Sequence, residues 1–211
     1  MSRGSGGPRR SGGPRSHPDT SVRPAVPGDE RAIAALQWGA WRALLTGEEL
    51  AAQGLSEERL RAGWGAALSS PRPASAALVV ALHGNSVVGF ALAGPDDEAG
   101  AAGGPPGAVR GQSCAAGGPP GAAPAQTGGV PAAVPTQIYE LVVEPRFCRS
   151  GHGSRMLAAV ADLVGGAMRV WIDARDEARQ RFFSSTGFAP AGAGRTIGDG
   201  HTQHLWWARA E

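Results

Sequence analysis

Residues 137–164 read QIYELVVEPRFCRSGHGSRMLAAVADLV, and three kinds of local order succeed one another within them. From Ile138 to Val143 five of six residues are apolar, counting Tyr139, and Pro145 ends the run. Such a run predicts a strand buried on both faces. From Met156 onward the apolar residues Met156, Leu157, Val160, Leu163 and Val164 fall on one face of a helix. Between strand and helix lies Cys148-Arg149-Ser150-Gly151-His152-Gly153-Ser154. Gly151 and Gly153 let another group approach the backbone closely, and the opening helix offers unpaired N–H groups and the positive end of its dipole. Arg149 and Arg155 add positive charge. The arrangement suits a phosphorylated ligand.

Two familiar phosphate loops do not fit. A dinucleotide fingerprint needs a third glycine after Gly153 at the proper spacing, and a Walker loop needs Gly-Lys-Ser/Thr in a chain that contains no lysine. The wider pattern is Leu141-x-Val143-x-Pro145, then Arg149-x-Gly151-x-Gly153, then Met156-Leu157. It resembles the acetyl-CoA-binding motif of the GNAT superfamily of N-acetyltransferases. A second stretch, Asp176-Glu177-Ala178 and then Phe182-Phe183 and Gly187-Phe188, is similar to another motif of that family.

Composition narrows the setting. Of 211 residues, 33 are Gly and 17 Pro, concentrated at the N-terminus and in the middle. Residues 1–19 carry four arginines without an apolar run, and they read as a disordered Arg/Gly/Ser/Pro tail, neither signal peptide nor membrane anchor. Binding of nucleic acid by this tail is the less favoured reading. No stretch approaches the roughly 20 apolar residues of a membrane span. The two cysteines, Cys114 and Cys148, argue against a disulfide framework and for a reducing, cytoplasmic setting. No Cys/His cluster has zinc spacing, so His201 and His204 read as strand residues and no metal is expected.

Taken in order, residues 20–25 predict a first strand. Pro27-Gly28-Asp29 opens a helix with Asp29 as N-cap, Ile33, Leu36, Ala40 and Leu44 form its core stripe, Trp38, Trp41 and Leu45 lie beside it, and Gly47 ends it. A second helix is expected over Ser56–Leu68 with Leu60, Trp64 and Leu68 in line. Ala76–Leu82 and Val87–Ala93 read as a hairpin joined by His83-Gly84-Asn85-Ser86. Residues 95–136, with AAGGPPGA twice, read as a low-complexity insertion. Met168–Asp173 is a fifth strand, Glu177 to about Thr186 a helix capped by Asp176 and closed by Gly187. Phe188 starts a sixth strand, Gly198-Asp199-Gly200 turns, and His201–Arg209 is the last.

The predicted order is β-α-α-β-β-β-α-β-α-β-β, an α/β fold with a central mixed sheet and helices on both faces. It is also the order of the GNAT fold, and the resemblance covers residues 20–209 apart from the insertion.

The resemblance implies acetyl-CoA as co-substrate. The backbone of Leu141, Val142 and Val143 would pair with its pantetheine arm where the fourth and fifth strands splay. Arg149, Ser150, Gly151, His152, Gly153 and Ser154 would surround the pyrophosphate, and Asp176 and Phe183 would lie near the thioester. Three positions depart from the family pattern: Cys148 stands where Arg or Gln is usual, Asp176 replaces Asn, and Phe183 replaces the Tyr that commonly protonates the departing thiolate. Phe has no proton to give.

Acetyl transfer needs an amine to lose a proton and attack the thioester carbonyl. Glu140 is the first candidate for the base, since alternation puts it on the same face as Val142, whose N–H could polarise the carbonyl. Tyr139 and Asp173 are weaker candidates, and His152 reads as a first-turn surface histidine. Trp38, Trp41 and Trp64 would either line the acceptor pocket or pack in the core. The expected protein is an N-acetyltransferase acting on a primary amine, a monomer or homodimer without membrane partners. The competing expectation is a catalytically weak acyl-CoA-binding module of the same fold.

Overall fold

The computed structural model describes residues 20–95, 135–197 and 200–209. The expected tail, nearly all of the low-complexity segment and the Gly198-Asp199 turn lie outside these residues.

The elements are β1 Thr20–Pro24, α1 Glu30–Leu44, α2 Gly47–Ala52, α3 Glu57–Ser69, β2 Ala77–His83, β3 Ser86–Pro95 and β4 Thr136–Val143. A single 3-10 turn, Pro145–Phe147, leads to α4 His152–Val164, β5 Ala167–Asp173, α5 Glu177–Ser185, β6 Ala189–Ile197 and β7 His201–Arg209. The strands form one seven-stranded sheet in the order β1-β2-β3-β4-β5-β7-β6. Every neighbouring pair is antiparallel except β4 and β5. Pro95 pairs with Thr136, so both ends of the expected insertion belong to the sheet.

Alternation along the strands builds two cores. Val79, Ala81, Val88 and Ala91 face α4 and α5 and pack with Met156, Leu157, Val160 and Phe183. Leu78, Val80 and Phe90 face the other way, against Ile33, Ala34 and Trp41 of α1, Leu50 of α2 and Leu60, Trp64 and Leu68 of α3. The mixed sheet with helices on both faces is therefore as the pattern predicts. Among the described residues no helix is long and apolar enough to cross a membrane.

Several local expectations are corrected. Three helices, not two, lie between β1 and β2. Gly47 does not end a helix but begins α2, because Thr46 accepts from the Glu49 N–H while the Glu49 carboxylate accepts from the Thr46 N–H, a reciprocal capping box. The buried stripe of α1 runs through Ile33, Ala34, Gln37 and Trp41, and Leu44, at the end of the helix, is 82% exposed. α4 starts at His152, and Leu163, expected on its apolar face, is half exposed. The strand expected to be buried throughout is buried only at Thr136 and Ile138; the rest of β4 is half-buried.

Asp29 is also put to a different use. It stands at the N-cap of α1, but its side chain makes no cap hydrogen bond. Arg23 on β1 instead donates to both carboxylate oxygens at 2.6 and 2.9 Å, and the Val26 N–H donates at 2.9 Å. The carboxylate thus ties the sheet edge to the start of α1. The Arg23 hydrogen bond and, after it, the Val26 N–H hold the Asp29 carboxyl below its usual range against the opposing effect of burial. A depressed folded pKa gives stability that is present above the unfolded value, about 3.9, and lost as pH falls through the folded value. Asp29→Asn is therefore expected to cost about 1–3 kcal/mol near neutral pH, and urea unfolding of both proteins should show the difference shrink below about pH 4.

Candidate active site

β4 and β5 pair over only three positions, Thr136↔Met168, Gln137↔Arg169 and Ile138↔Val170. Beyond Ile138 the two strands diverge, while β4 stays paired to β3 on its other edge as far as Val143. The edge of β4 that faces β5 thus carries Leu141, Val142 and Val143 without a β5 partner among the described residues. These are the residues whose backbone, by the family resemblance, is expected to pair with a ligand arm.

At the same place β4 is irregular. Leu92 pairs with Glu140 but Ala93 pairs with Ile138, so Tyr139 is an extra residue, a bulge that re-aims the side chains after it. Ile138 lies in the core under α4, and so do Leu141 and Val143. In an unbroken strand Ile138 and Glu140 would share a face; the bulge turns Glu140 and Val142 toward α1 instead. Tyr139, at the bulge, donates its hydroxyl to the Pro95 carbonyl.

Glu140 meets a prepared environment. Its Oε2 accepts from Gln37 Nε2 at 2.6 Å and its Oε1 from Trp41 Nε1 at 3.3 Å. Gln37, 1% exposed, in turn accepts from Trp64 Nε1 at 2.7 Å. Burial raises the Glu140 pKa, opposed by the two donors and by the positive charge of Arg179. Removal from water penalises the charged form, and donors aimed at the oxygens restore it. The result is a held carboxylate with enhanced proton affinity. Asp173, the weaker candidate, has the opposite character: the Arg175 N–H, then its guanidinium, and then His201 pull its pKa to about 2. A carboxylate so stabilised is a poor proton acceptor.

The loop before α4 curls through two left-handed positions, Arg149 at φ 65° and Gly151 at φ 79°. No side chain caps α4, so its leading N–H groups are left to solvent or to an anion. Arg149, Ser150, Ser154 and Arg155 are exposed around this end, and Arg155 donates to the Ser150 carbonyl at 3.2 Å. The expected surface position of His152 is not what the structure shows. Its ring is 1% exposed and stacks edge-on against His83 and Phe147, with centroids 6.0 and 6.1 Å away. Among the described residues neither of its ring nitrogens has a hydrogen-bond partner, and burial lowers its pKa. Only its backbone N–H remains at the loop. The side chain belongs to the stripe His152-Gly153-Met156-Leu157-Val160, which the i, i+4 spacing makes legible.

Gly153 also has a packing role. A Cβ there would lie 2.9 Å from Phe182 Cζ and 3.0 Å from Cε2, so its bareness seats α5 against α4. Asp176 caps α5 by accepting from the Arg179 N–H at 2.9 Å, and Phe183 is fully buried in the α4–α5 core. Trp64 is a core residue, stacked edge-on against Phe90 at 5.6 Å, whereas Trp41 reaches Glu140. Sequence reasoning misses Gln37 and Arg179. Gln37 is polar on an otherwise apolar helical face, and Arg179 lies four residues before Phe183 and so on its face; both signals stand in the sequence. Among the described residues no group of three or more His, Cys, Asp or Glu side chains could hold a metal.

A seven-stranded mixed sheet whose parallel β4–β5 pair splays after three paired positions, with a glycine loop and helix behind it, is the fold of the GNAT acetyltransferases. An acetyltransferase of that family from Streptococcus pneumoniae superposes with a TM-score of 0.55 at 15% identity, covering 90% of this chain and 98% of that one. One from Bacillus cereus gives 0.56 at 14% identity, covering 91% and 98%. Among curated sequences, a mycothiol acetyltransferase of Streptosporangium roseum is 41% identical over 49 residues, which is 23% of this chain and 14% of the relative's length. No protein-family model matches the chain.

The contact at Gly153 makes a direct prediction. Gly153→Ala should lower unfolding stability by about 1–3 kcal/mol through overpacking, measured by urea titration. Adding Phe182→Leu should recover part of that loss, since the colliding ring atoms are gone.

Proposed function

We propose that the chain is an acetyl-CoA-dependent N-acyltransferase of the cytoplasm that acetylates a primary amine, with Glu140 as the base. The observation that carries this reading is the placement of Glu140: a bulge turns it out of the α4 core, Gln37 and Trp41 grip its carboxylate, and it stands where β4 and β5 part. A group that must accept a proton near neutral pH works best with a raised pKa, and burial raises that of Glu140. Leu141, Val142 and Val143 would pair with the pantetheine arm, and the Val142 N–H would polarise the thioester carbonyl. The uncapped N-terminus of α4, with Arg149, Ser150, Gly151, Gly153 and Ser154, would take the pyrophosphate. His152 would contribute its backbone N–H alone.

Phe183 supports a second reading. It replaces the hydroxyl that commonly supplies a proton to the leaving thiolate, and it is wholly buried. A weak or inactive acyl-CoA binder would have that feature too.

Calorimetric titration of acetyl-CoA, and then thiol release with a panel of amines, separates the two. Binding with turnover supports the enzyme, binding without turnover for any amine the binder, and no binding removes both. Gly151→Asp should abolish binding by placing a carboxylate at the loop, where its Cβ would meet the flexible end of Arg155 rather than the Phe182 ring that Gly153 faces. Glu140→Gln should lower kcat by roughly 10²–10⁴-fold and remove the acid limb of the kcat/KM profile. In the wild type that limb reports Glu140 losing its proton as pH rises, so its midpoint should lie above an ordinary glutamate's, about 4.3.

A further inference from the structure

Glu140, on β4 just past its last paired position with β5, feels an opposite charge on α5, that of Arg179. Glu140 is held on one side by α1. Arg179 stands on α5, which packs with α4 against the other side. Its guanidinium carbon lies 5.6 Å from the centroid of the Phe183 ring, a cation resting on the face of the side chain that carries no proton. Arg179 is half-buried, and among the described residues its guanidinium makes neither a hydrogen bond nor an ion pair. Burial lowers its pKa, while the charges of Asp176 and Glu140 raise it. The two charges thus feel each other without closing into a salt bridge. A partly desolvated cation that closes no ion pair with the carboxylates near it is costly as pure scaffold, and it invites a transient anion.

We infer that Arg179 is a catalytic residue that receives the departing thiolate, doing by charge what Phe183 cannot do by proton transfer. The inference rests on the acyl-transfer reading above. In the step, the amine nitrogen bonds to the acetyl carbonyl carbon and its proton passes to Glu140 on the α1 side. The carbon–sulfur bond breaks, and sulfur leaves with the electron pair toward the α5 side. There the guanidinium donates hydrogen bonds to the thiolate until water protonates it. The products are an amide and free CoA, and charge is conserved because Glu140 returns its proton to solvent. Arg suits the task better than a general acid, since it keeps its charge at every working pH.

Two variants test this. Arg179→Met keeps the stem and its contact with Phe183 but removes the charge; Arg179→Lys keeps a charge. The first readout is the ionisation of the CoA thiol when bound, monitored by the ultraviolet absorbance of the thiolate during a pH titration. An opposite charge within contact range shifts a pKa by about 1–3 units, so wild type should lower the bound thiol's pKa by that much and Arg179→Met should not. The second is steady-state kinetics, where Arg179→Met should lose roughly 10²–10³-fold in kcat with an unchanged KM for acetyl-CoA, and Arg179→Lys should recover part of it. A merely structural arginine would leave the bound thiol's pKa untouched, and equal pKa values in wild type and Arg179→Met would overturn the inference while leaving acyl transfer standing. An unchanged kcat in Arg179→Met overturns it as well. A wild type that binds no CoA overturns both this inference and the reading beneath it.

Discussion

Between Leu92↔Glu140 and Ala93↔Ile138 the ladder gives β4 one residue more than β3, and the face taken by every later side chain of β4 depends on that surplus. Without it, Glu140 would enter the apolar layer among Val79, Met156 and Val160, where an unpartnered carboxylate costs several kcal/mol or gives up its charge. With it, the same residue emerges beneath α1, and Leu141 and Val143 fill the layer in its place. The bulge also coincides with the point where β5 turns away. One irregularity therefore sets both the direction of the carboxylate and the opening beside it.

The side of the sheet that receives Glu140 is built to hold it. Trp64, Gln37, Glu140 and Trp41 form a hydrogen-bonded series from α3 through α1 to the sheet. Gln37 is the hinge of the series, because its amide accepts from an indole with one end and donates to a carboxylate with the other. Its orientation is fixed by those roles. Leucine at that position would leave the Trp64 N–H without its acceptor and Glu140 with Trp41 as its remaining donor, which explains a glutamine that is 1% exposed in an apolar face.

The repeating features are legible in the sequence. Strand runs, the Gly84-Asn85 hairpin, the cap at Asp176 and the left-handed Gly187 all arise from local chemistry, and the structure has each of them. The sheet order comes with the element order once the fold is identified. Features decided at long range escape. The Tyr139 bulge is a register choice between strands separated by the low-complexity segment, and the Gln37–Glu140 bond spans 103 residues. Asp29 reads locally as a cap, but a guanidinium on β1 outcompetes the helix for its carboxylate. The short α2 is a different case: Thr46 and Glu49 spell a capping box in plain sequence, hidden when Gly47 is taken only as a stop. His152 likewise reads as a surface residue by its polarity, although its spacing belongs to the apolar stripe.

The neutral state of His152 has a further consequence for the loop above it. A charged imidazole under the start of α4 would project a field through low-dielectric protein, where it is little weakened. Burial instead favours the uncharged ring, which leaves the positive charge of the loop to exposed arginines such as Arg149 and Arg155. Charges in water are screened over about 8 Å at physiological ionic strength. The charges of the loop are therefore open to screening, so its capture of an anion from afar should slow as salt rises, and its hold on one should weaken with it.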